Sequence, residues 1–207
     1  MLDDLLAVPW RALRHALGDA ADVPQMIAAL TSKAPEERRA GLKELFACLL
    51  HQGAVYEATP HALPFLFELL QSPQTPDKNW IAFLIASIAD GQGYLEAHTA
   101  ADERRWRQIL AERGTTLEAE LRIEDEIVQS VAHEIGRGVE LLLPYLSDNQ
   151  SEIRAAVARA LGHQRAHAAR LIPELAAAEA NETASDARDA LRRSLAQLRT
   201  VKLKPLT

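Results

Sequence analysis

Apolar residues recur at intervals of three and four along most of the chain, the spacing that lines them up on one face of an α-helix. Ile153, Ala156, Val157, Ala160 and Leu161 form one such stripe. Ala187, Ala190, Leu191, Ser194, Leu195 and Leu198 form a second, and Leu42, Leu45, Phe46, Leu49 and Leu50 a third. The pattern predicts helices over 9–17, 23–30, 36–50, 60–71, 78–89, 100–113, 117–135, 139–146, 151–161, 166–178 and 184–198. Punctuation supports these bounds. Pro9 suits a first turn and Gly18 a stop, Gly53 suits a left-handed turn, Thr59 and Thr99 are N-cap residues, and Gly114 ends the 100–113 helix. The 78–89 segment is apolar on several faces (Trp80, Ile81, Phe83, Leu84, Ile85, Ile88), which predicts deep burial. Residues 200–207 lie beyond the pattern and are expected to fray.

The stripes are copies of one another. Shifted by 34 residues, the segment from Ser151 meets the segment from Ser185 with Ser, an acid, Arg, Ala, Arg and Leu in register. A second motif, apolar-Pro-any-apolar, occurs at Val23-Pro24, Leu63-Pro64, Leu143-Pro144 and Ile172-Pro173, with prolines 40, 80 and 29 residues apart. Proline is tolerated near a helix N-terminus, where backbone N–H groups lack internal partners, so each motif is expected to open a helix. The 80-residue gap implies a large insertion or a degenerate unit. Internal repetition at this period is the signature of stacked helical units.

Composition agrees with a folded, helical chain. Of 207 residues, 48% are hydrophobic and 25% charged, while only 5% are aromatic. Ala and Leu predominate, and they lose little side-chain freedom in a helix. A lone cysteine, Cys48, excludes an intrachain disulfide and a thiolate zinc cluster, and reads as a small packed residue. No apolar stretch is long enough to span a bilayer. The opening Met1-Leu2-Asp3-Asp4 is acidic where a secretory signal is basic, so a cytoplasmic address is expected.

Charge is uneven. Residues 1–150 carry 13 basic and 23 acidic side chains, a net of −10, and the remainder a net of +4. A field of −10 repels a phosphate backbone and attracts a basic protein.

The residues that could carry chemistry concentrate between His51 and His61. His51, Tyr56, Glu57 and His61 offer acid/base or metal-ligand groups; equally, Gln52-Gly53 ends one helix, Thr59-Pro60 starts the next, and Tyr56 packs on Trp10 or Trp80. His163 and His167 fall in an inter-helix turn and need not share a face. His15 with Asp19 and Asp22 suits the end of the opening helix, where the dipole favours a cation. Tyr94, Trp106, Ile109 and Leu110, in the insertion over about 91–116, would either pack across the edge of the array or form a protrusion for a partner. No phosphate loop, nucleophile elbow or zinc helix motif is present, and no catalytic residue, metal or cofactor is assigned.

The proline turns, together with Glu152/Arg154 and Asp186/Arg188, resemble the HEAT-repeat (armadillo-like) α-solenoid family, in a short bacterial-type form. The likeness spans residues 20–90 and 118–200 and is strongest over 138–198. It implies an all-α chain, a short right-handed α-solenoid of antiparallel helix pairs, in one domain over 1–207 with an insertion and a tail. It also implies a non-catalytic protein-binding module with a concave surface, an adaptor or a toxin-neutralising, immunity-type protein. Aligning the proline turns places His61, Glu68, Glu140, Tyr145, Arg170 and Glu174 among the groove residues. The alternative is a HEAT-like enzyme resembling DNA glycosylases or bilin lyases. A positive groove holding Trp80 or Trp106 beside an acid would favour nucleic acid, which the overall charge disfavours.

Overall fold

The helical spacing is realised over most of the chain. The computed structural model describes residues 2–200, so the expected fraying beyond Thr200 lies outside the described residues. Among them are eleven α-helices: α1 (Val23–Ala29), α2 (Pro35–Leu49), α3 (Ala58–Gln71), α4 (Lys78–Ala89), α5 (Tyr94–His98), α6 (Glu103–Glu112), α7 (Leu117–Arg137), α8 (Val139–Leu142), α9 (Ser151–Gly162), α10 (Ala168–Asn181) and α11 (Ser185–Arg199). Two short antiparallel hairpins are the only strands among the described residues. They pair β1 (Arg14–His15) with β2 (Gly18–Asp19) and β3 (Leu50–His51) with β4 (Ala54–Val55). The fold class is all-α. No described helix is long and apolar enough to cross a membrane.

The helices pack in two layers. In one, α2 lies beside α4, α4 beside α9, and α9 beside α11. Against it lie α1 on α2, α3 and α7 on α4, the 3₁₀ turn Leu143–Ser147 on α9, and α10 on α11. One continuous apolar core runs between the layers, with Leu63, Leu66, Leu84, Ile85, Ile88 and Leu161 fully buried. A separate small core of Leu95, Leu110 and Leu117, packed by Tyr94, Trp106 and Leu121, joins α5, α6 and the start of α7. The apolar residues of the insertion are thus spent largely on one another.

The repeated arginine has a specific task. Arg38, Arg154 and Arg188 each stand fourth in their helix. Arg38 donates to the carbonyls of Ser32 and Lys33 at 3.0 and 3.3 Å, and Arg154 to those of Asp148 and Asn149 at 2.7 and 3.2 Å. Arg188 donates to the Glu182 carbonyl. In each copy the guanidinium therefore satisfies the loop entering its own helix. Arg38 also reaches forward to Asp77 at 2.6 Å, and Arg154 forks onto Glu182 with both contacts at 2.7 Å. A planar five-donor group can fill both roles at once; an ammonium could not hold this fork.

Several expectations need correction. The opening segment is not a helix over 9–17 but two 3₁₀ turns, Leu5–Ala7 and Trp10–Ala12, followed by the β1–β2 hairpin. His15 explains the difference. It is buried, with Nε2 3.0 Å from Asp22 Oδ1 and Nδ1 accepting from the Leu17 N–H at 3.0 Å, so it braces the hairpin and has no helix end to stabilise. Pro24 and Pro144 do sit in first turns, but Pro64 and Pro173 lie inside α3 and α10, where each removes one backbone donor. Thr59 is within α3, not its cap; its hydroxyl accepts from the Tyr56 N–H and donates to the Leu49 carbonyl, tying the end of α2 to α3. The 100–113 segment breaks at Asp102, which caps α6 through the Arg105 N–H.

Candidate binding surfaces

Deep burial of the whole 78–89 helix is not what the structure holds. Ile81, Leu84, Ile85 and Ile88 are buried as expected, but Trp80 is 52% exposed and Phe83 41%. Leaving about half of a tryptophan in water forgoes on the order of 2–3 kcal/mol of burial, a large loss for a residue with no structural duty. Trp80 meets Phe83 edge-on with centroids 6.1 Å apart, and Phe83 meets Phe46 of α2 at 5.8 Å. Together they form an aromatic strip across α2 and α4.

Beside the strip lies a cavity of about 380 Å³ between α2 and the entry to α4. Its floor includes Leu42, Phe46 and Ile81, and its rim Arg39, Lys43 and Trp80. Residues 39, 42, 43 and 46 share one face of α2 by their spacing. Asp77, in the left-handed region with φ 53°, starts α4 and is engaged by Arg38. Arg39 and Lys43 have no ion-pair partner among the described residues. At the far end of the strip Arg159 of α9 lies 5.6 Å from the Phe83 ring centre and pairs with Asp90. His163 Nε2 is 2.5 Å from the other Asp90 oxygen. Burial alone would raise the Asp90 carboxyl, but the hydrogen bonds from His163 and Arg159 outweigh it and hold the group below the usual carboxylate range.

The residues singled out from the sequence lie elsewhere and in separate groups. His51 belongs to the β3–β4 hairpin, whose Gln52 and Gly53 both have positive φ (53° and 82°), the pattern of a tight two-residue hairpin turn. That hairpin is stapled to the insertion: the Val55 N–H donates to the Gln92 carbonyl at 3.0 Å and the Gln92 N–H to the Gly53 carbonyl at 3.1 Å. Tyr56 faces the same junction. Burial raises its phenol, and the neighbouring Tyr94 and Glu124 add to the effect. Trp10, by contrast, meets Phe65 at a tilt, with centroids 6.3 Å apart, and Trp80 meets Phe83 edge-on. Glu57 accepts from the Arg14 N–H at 2.9 Å, holding the β1–β2 hairpin. Glu124, omitted from the sequence candidates, accepts from the Leu95 N–H at 2.9 Å; burial raises its carboxyl and those N–H bonds only partly offset it.

Glu68 accepts from the Leu2 N–H at 2.8 Å, while His61 lies exposed in a cleft between α3 and α7 with His133, Glu134 and Arg137. Glu140, Arg170 and Glu174 do come together as one ion-paired cluster, with Arg170 Nε 3.5 Å from Glu140. Tyr145 donates to the Leu70 carbonyl at 2.7 Å. His61, Glu68, Glu140, Arg170 and Glu174 therefore lie on α3, α8 and α10, while Tyr145, in the Leu143–Ser147 turn, has its ring 6.0 Å from Lys78 Nζ at the start of α4. Cys48 is buried, and burial raises its thiol, with Asp22 and Glu44 adding to the rise; it packs.

His163 and His167 share a second cavity, of about 550 Å³, between the last turns of α7 and the turn 163–167. His163 is turned to Asp90 and His167 toward Gly136, so the two imidazoles are not paired on one ligand position. Among the described residues no group of three His, Cys, Asp or Glu is placed to hold a metal ion.

No protein-family model matches this chain, and no curated protein matches it.

Proposed function

We propose that the protein is a non-catalytic, HEAT-like protein-binding module whose working surface is the α2–α4 groove. Two features support the solenoid reading: helix partners succeed one another along two layers, and one arginine device recurs at the start of α2, α9 and α11. The observation that carries the binding reading is the exposed Trp80 and Phe83 beside a cavity rimmed by uncompensated Arg39 and Lys43. Tryptophan and arginine dominate the energetics of protein interfaces, because a large flat ring and a forked cation gain most from desolvation. The groove's charge selects its occupant. Although the region over 1–150 is acidic overall, the groove offers cations around an apolar floor, which suits a segment with an apolar anchor flanked by Asp or Glu. An adaptor and an immunity-type protein are both roles such a surface can fill.

Nucleic acid is the second reading, favoured by Trp80 lying beside Asp77 and three basic side chains. It is the weaker one, because Arg38 is committed to Asp77 and Arg159 to Asp90, leaving two free cations where a phosphate track needs a continuous series.

Fluorescence polarisation with three probes separates the readings: an acidic peptide with a central Leu-Phe anchor, its Lys-substituted counterpart, and a single-stranded oligonucleotide. The acidic peptide is expected to bind and to be lost in Trp80→Ala and in the Arg39→Glu/Lys43→Glu pair. Binding of the oligonucleotide instead, or of the acidic peptide unaffected by those substitutions, would overturn the proposal.

A further inference from the structure

The chain itself carries a segment of the kind the α2–α4 groove suits. Leu17 is 69% exposed at the tip of the β1–β2 hairpin, where turn chemistry favours Gly, Asn, Asp or Ser. The tip is firmly held. The Ala16 N–H donates to the Cys48 carbonyl and the Leu17 N–H to His15 Nδ1, both at 3.0 Å, and the Arg14 N–H donates to Glu57. An apolar side chain presented on a fixed turn loses little freedom when it is bound.

The segment is also acidic. Asp19 and Asp22, both exposed, follow Leu17 by two and five residues. With Glu57 they make three carboxylates on or beside the hairpin, against two arginines, Arg14 within it and Arg11 in the neighbouring 3₁₀ turn. Leu17 is thus an apolar anchor with acids alongside, and the groove rim opposes it with Arg39 and Lys43 around Leu42, Phe46 and Trp80.

Placement along α2 makes tip and groove self-complementary. The tip is tied to the Cys48 end of the helix, and Arg39 and Lys43 lie back along it by about 8–14 Å at 1.5 Å per residue. A two-fold axis across the middle of α2 runs two copies of this helix antiparallel and brings each tip toward the other copy's cationic rim, as an isologous contact requires.

We infer that a second copy of this chain is an occupant of the groove, each copy seating its Leu17 hairpin on the aromatic strip of the other. The inference rests on the groove reading above and adds its regulation: the dimer covers Trp80, so an acidic partner binds by displacing the hairpin. Two contacts of this small size make a weak dimer, with a dissociation constant on the order of 100 µM.

Sedimentation velocity on the full chain from about 10 µM to about 1 mM tests it. A monomer–dimer equilibrium that weakens in high salt is expected. Leu17→Ser and the Arg39→Ala/Lys43→Ala pair, all at exposed positions, should each weaken the dimer about tenfold or more. Mixing these two variants should restore part of the association, because the mixed dimer keeps one intact contact and loses the other only once. Leu17→Ser should still bind the acidic Leu-Phe peptide, at least as tightly as the wild type. A wild type that stays monomeric throughout, an open ladder of larger species, a dimer unchanged in Leu17→Ser, or a mixture no tighter than its parts would overturn the inference. If that peptide still binds, only self-association falls; if monomeric Leu17→Ser does not bind it, the groove reading falls as well.

Discussion

Removing Arg154 is expected to be among the most damaging single truncations outside the apolar core. Glu182 is almost wholly buried, its side chain 3% exposed, and four donors serve it: Arg154 twice at 2.7 Å and the N–H groups of Thr183 and Ala184 at 2.9 and 2.8 Å. The Arg154 fork chiefly, with those N–H groups, overcomes burial and lowers the Glu182 carboxyl from 4.5 to about 2. That shift corresponds to roughly 3 kcal/mol of preference for the charged form in the folded state. Arg154→Ala strands the carboxylate between the loops that enter α9 and α11, and is expected to cost about 3–5 kcal/mol in urea unfolding at neutral pH. Because the folded value is the lower one, the contribution is complete above 4.5 and disappears as the pH falls through about 2. The wild-type advantage over Arg154→Ala should therefore shrink over that acid range. Replacing both partners, as Arg154→Met/Glu182→Leu, should restore much of the loss. A stability within about 0.5 kcal/mol of wild type for Arg154→Ala would refute the assignment of Arg154 as the bridge between successive helices.

Three further outcomes follow from packing. Leu161→Ala, fully buried between layers, should cost about 2–5 kcal/mol by chemical denaturation. Gly162→Ala would press a methyl against Ser194, 2.7 Å from its Cβ and 2.9 Å from its Cα, so α9 and α11 must part; a loss of about 1–3 kcal/mol is expected in the same assay. Trp80→Ala removes the buried half of the ring as well as the exposed half, so it should cost about 2 kcal/mol in the same assay, less than Leu161→Ala at the upper end of its range, while abolishing binding of the acidic peptide.

The sequence pattern located the helices well wherever the stripe was strong, and 78–89 coincides with α4. Period alone does not say how many faces of a helix are covered. An all-apolar α4 suggested complete burial, yet Trp80 and Phe83, three apart, fall on the side that no neighbouring layer covers. The spacing of exposed-to-be aromatics on an otherwise saturated helix was the available signal. Local pattern does not encode the setting of His15, because its partners, Asp22 and the Leu17 N–H, meet it through a hairpin in which Gly18 stands at φ +150°. Gln52-Gly53 suits a helix stop as well as a hairpin turn, because both favour a left-handed glycine. Pairing to Gln92 and the tie from Arg14 to Glu57 are contacts across 37 and 43 residues, which local pattern does not encode. The proline motifs fall in four helical segments, two in first turns and two in helix interiors, and the residues aligned by them are held by local partners: Glu68 by the Leu2 N–H, Tyr145 by the Leu70 carbonyl, and Arg170 by Glu140 and Glu174.

Backbone amide NMR during titration with the acidic peptide distinguishes the two layers directly. Shifts confined to residues 38–46 and 76–87, with Trp80 and Phe83 at their centre and α3, α8 and α10 silent, are expected. Shifts centred on Glu140, Tyr145, Arg170 and Glu174, with α2 and α4 unmoved, would contradict it.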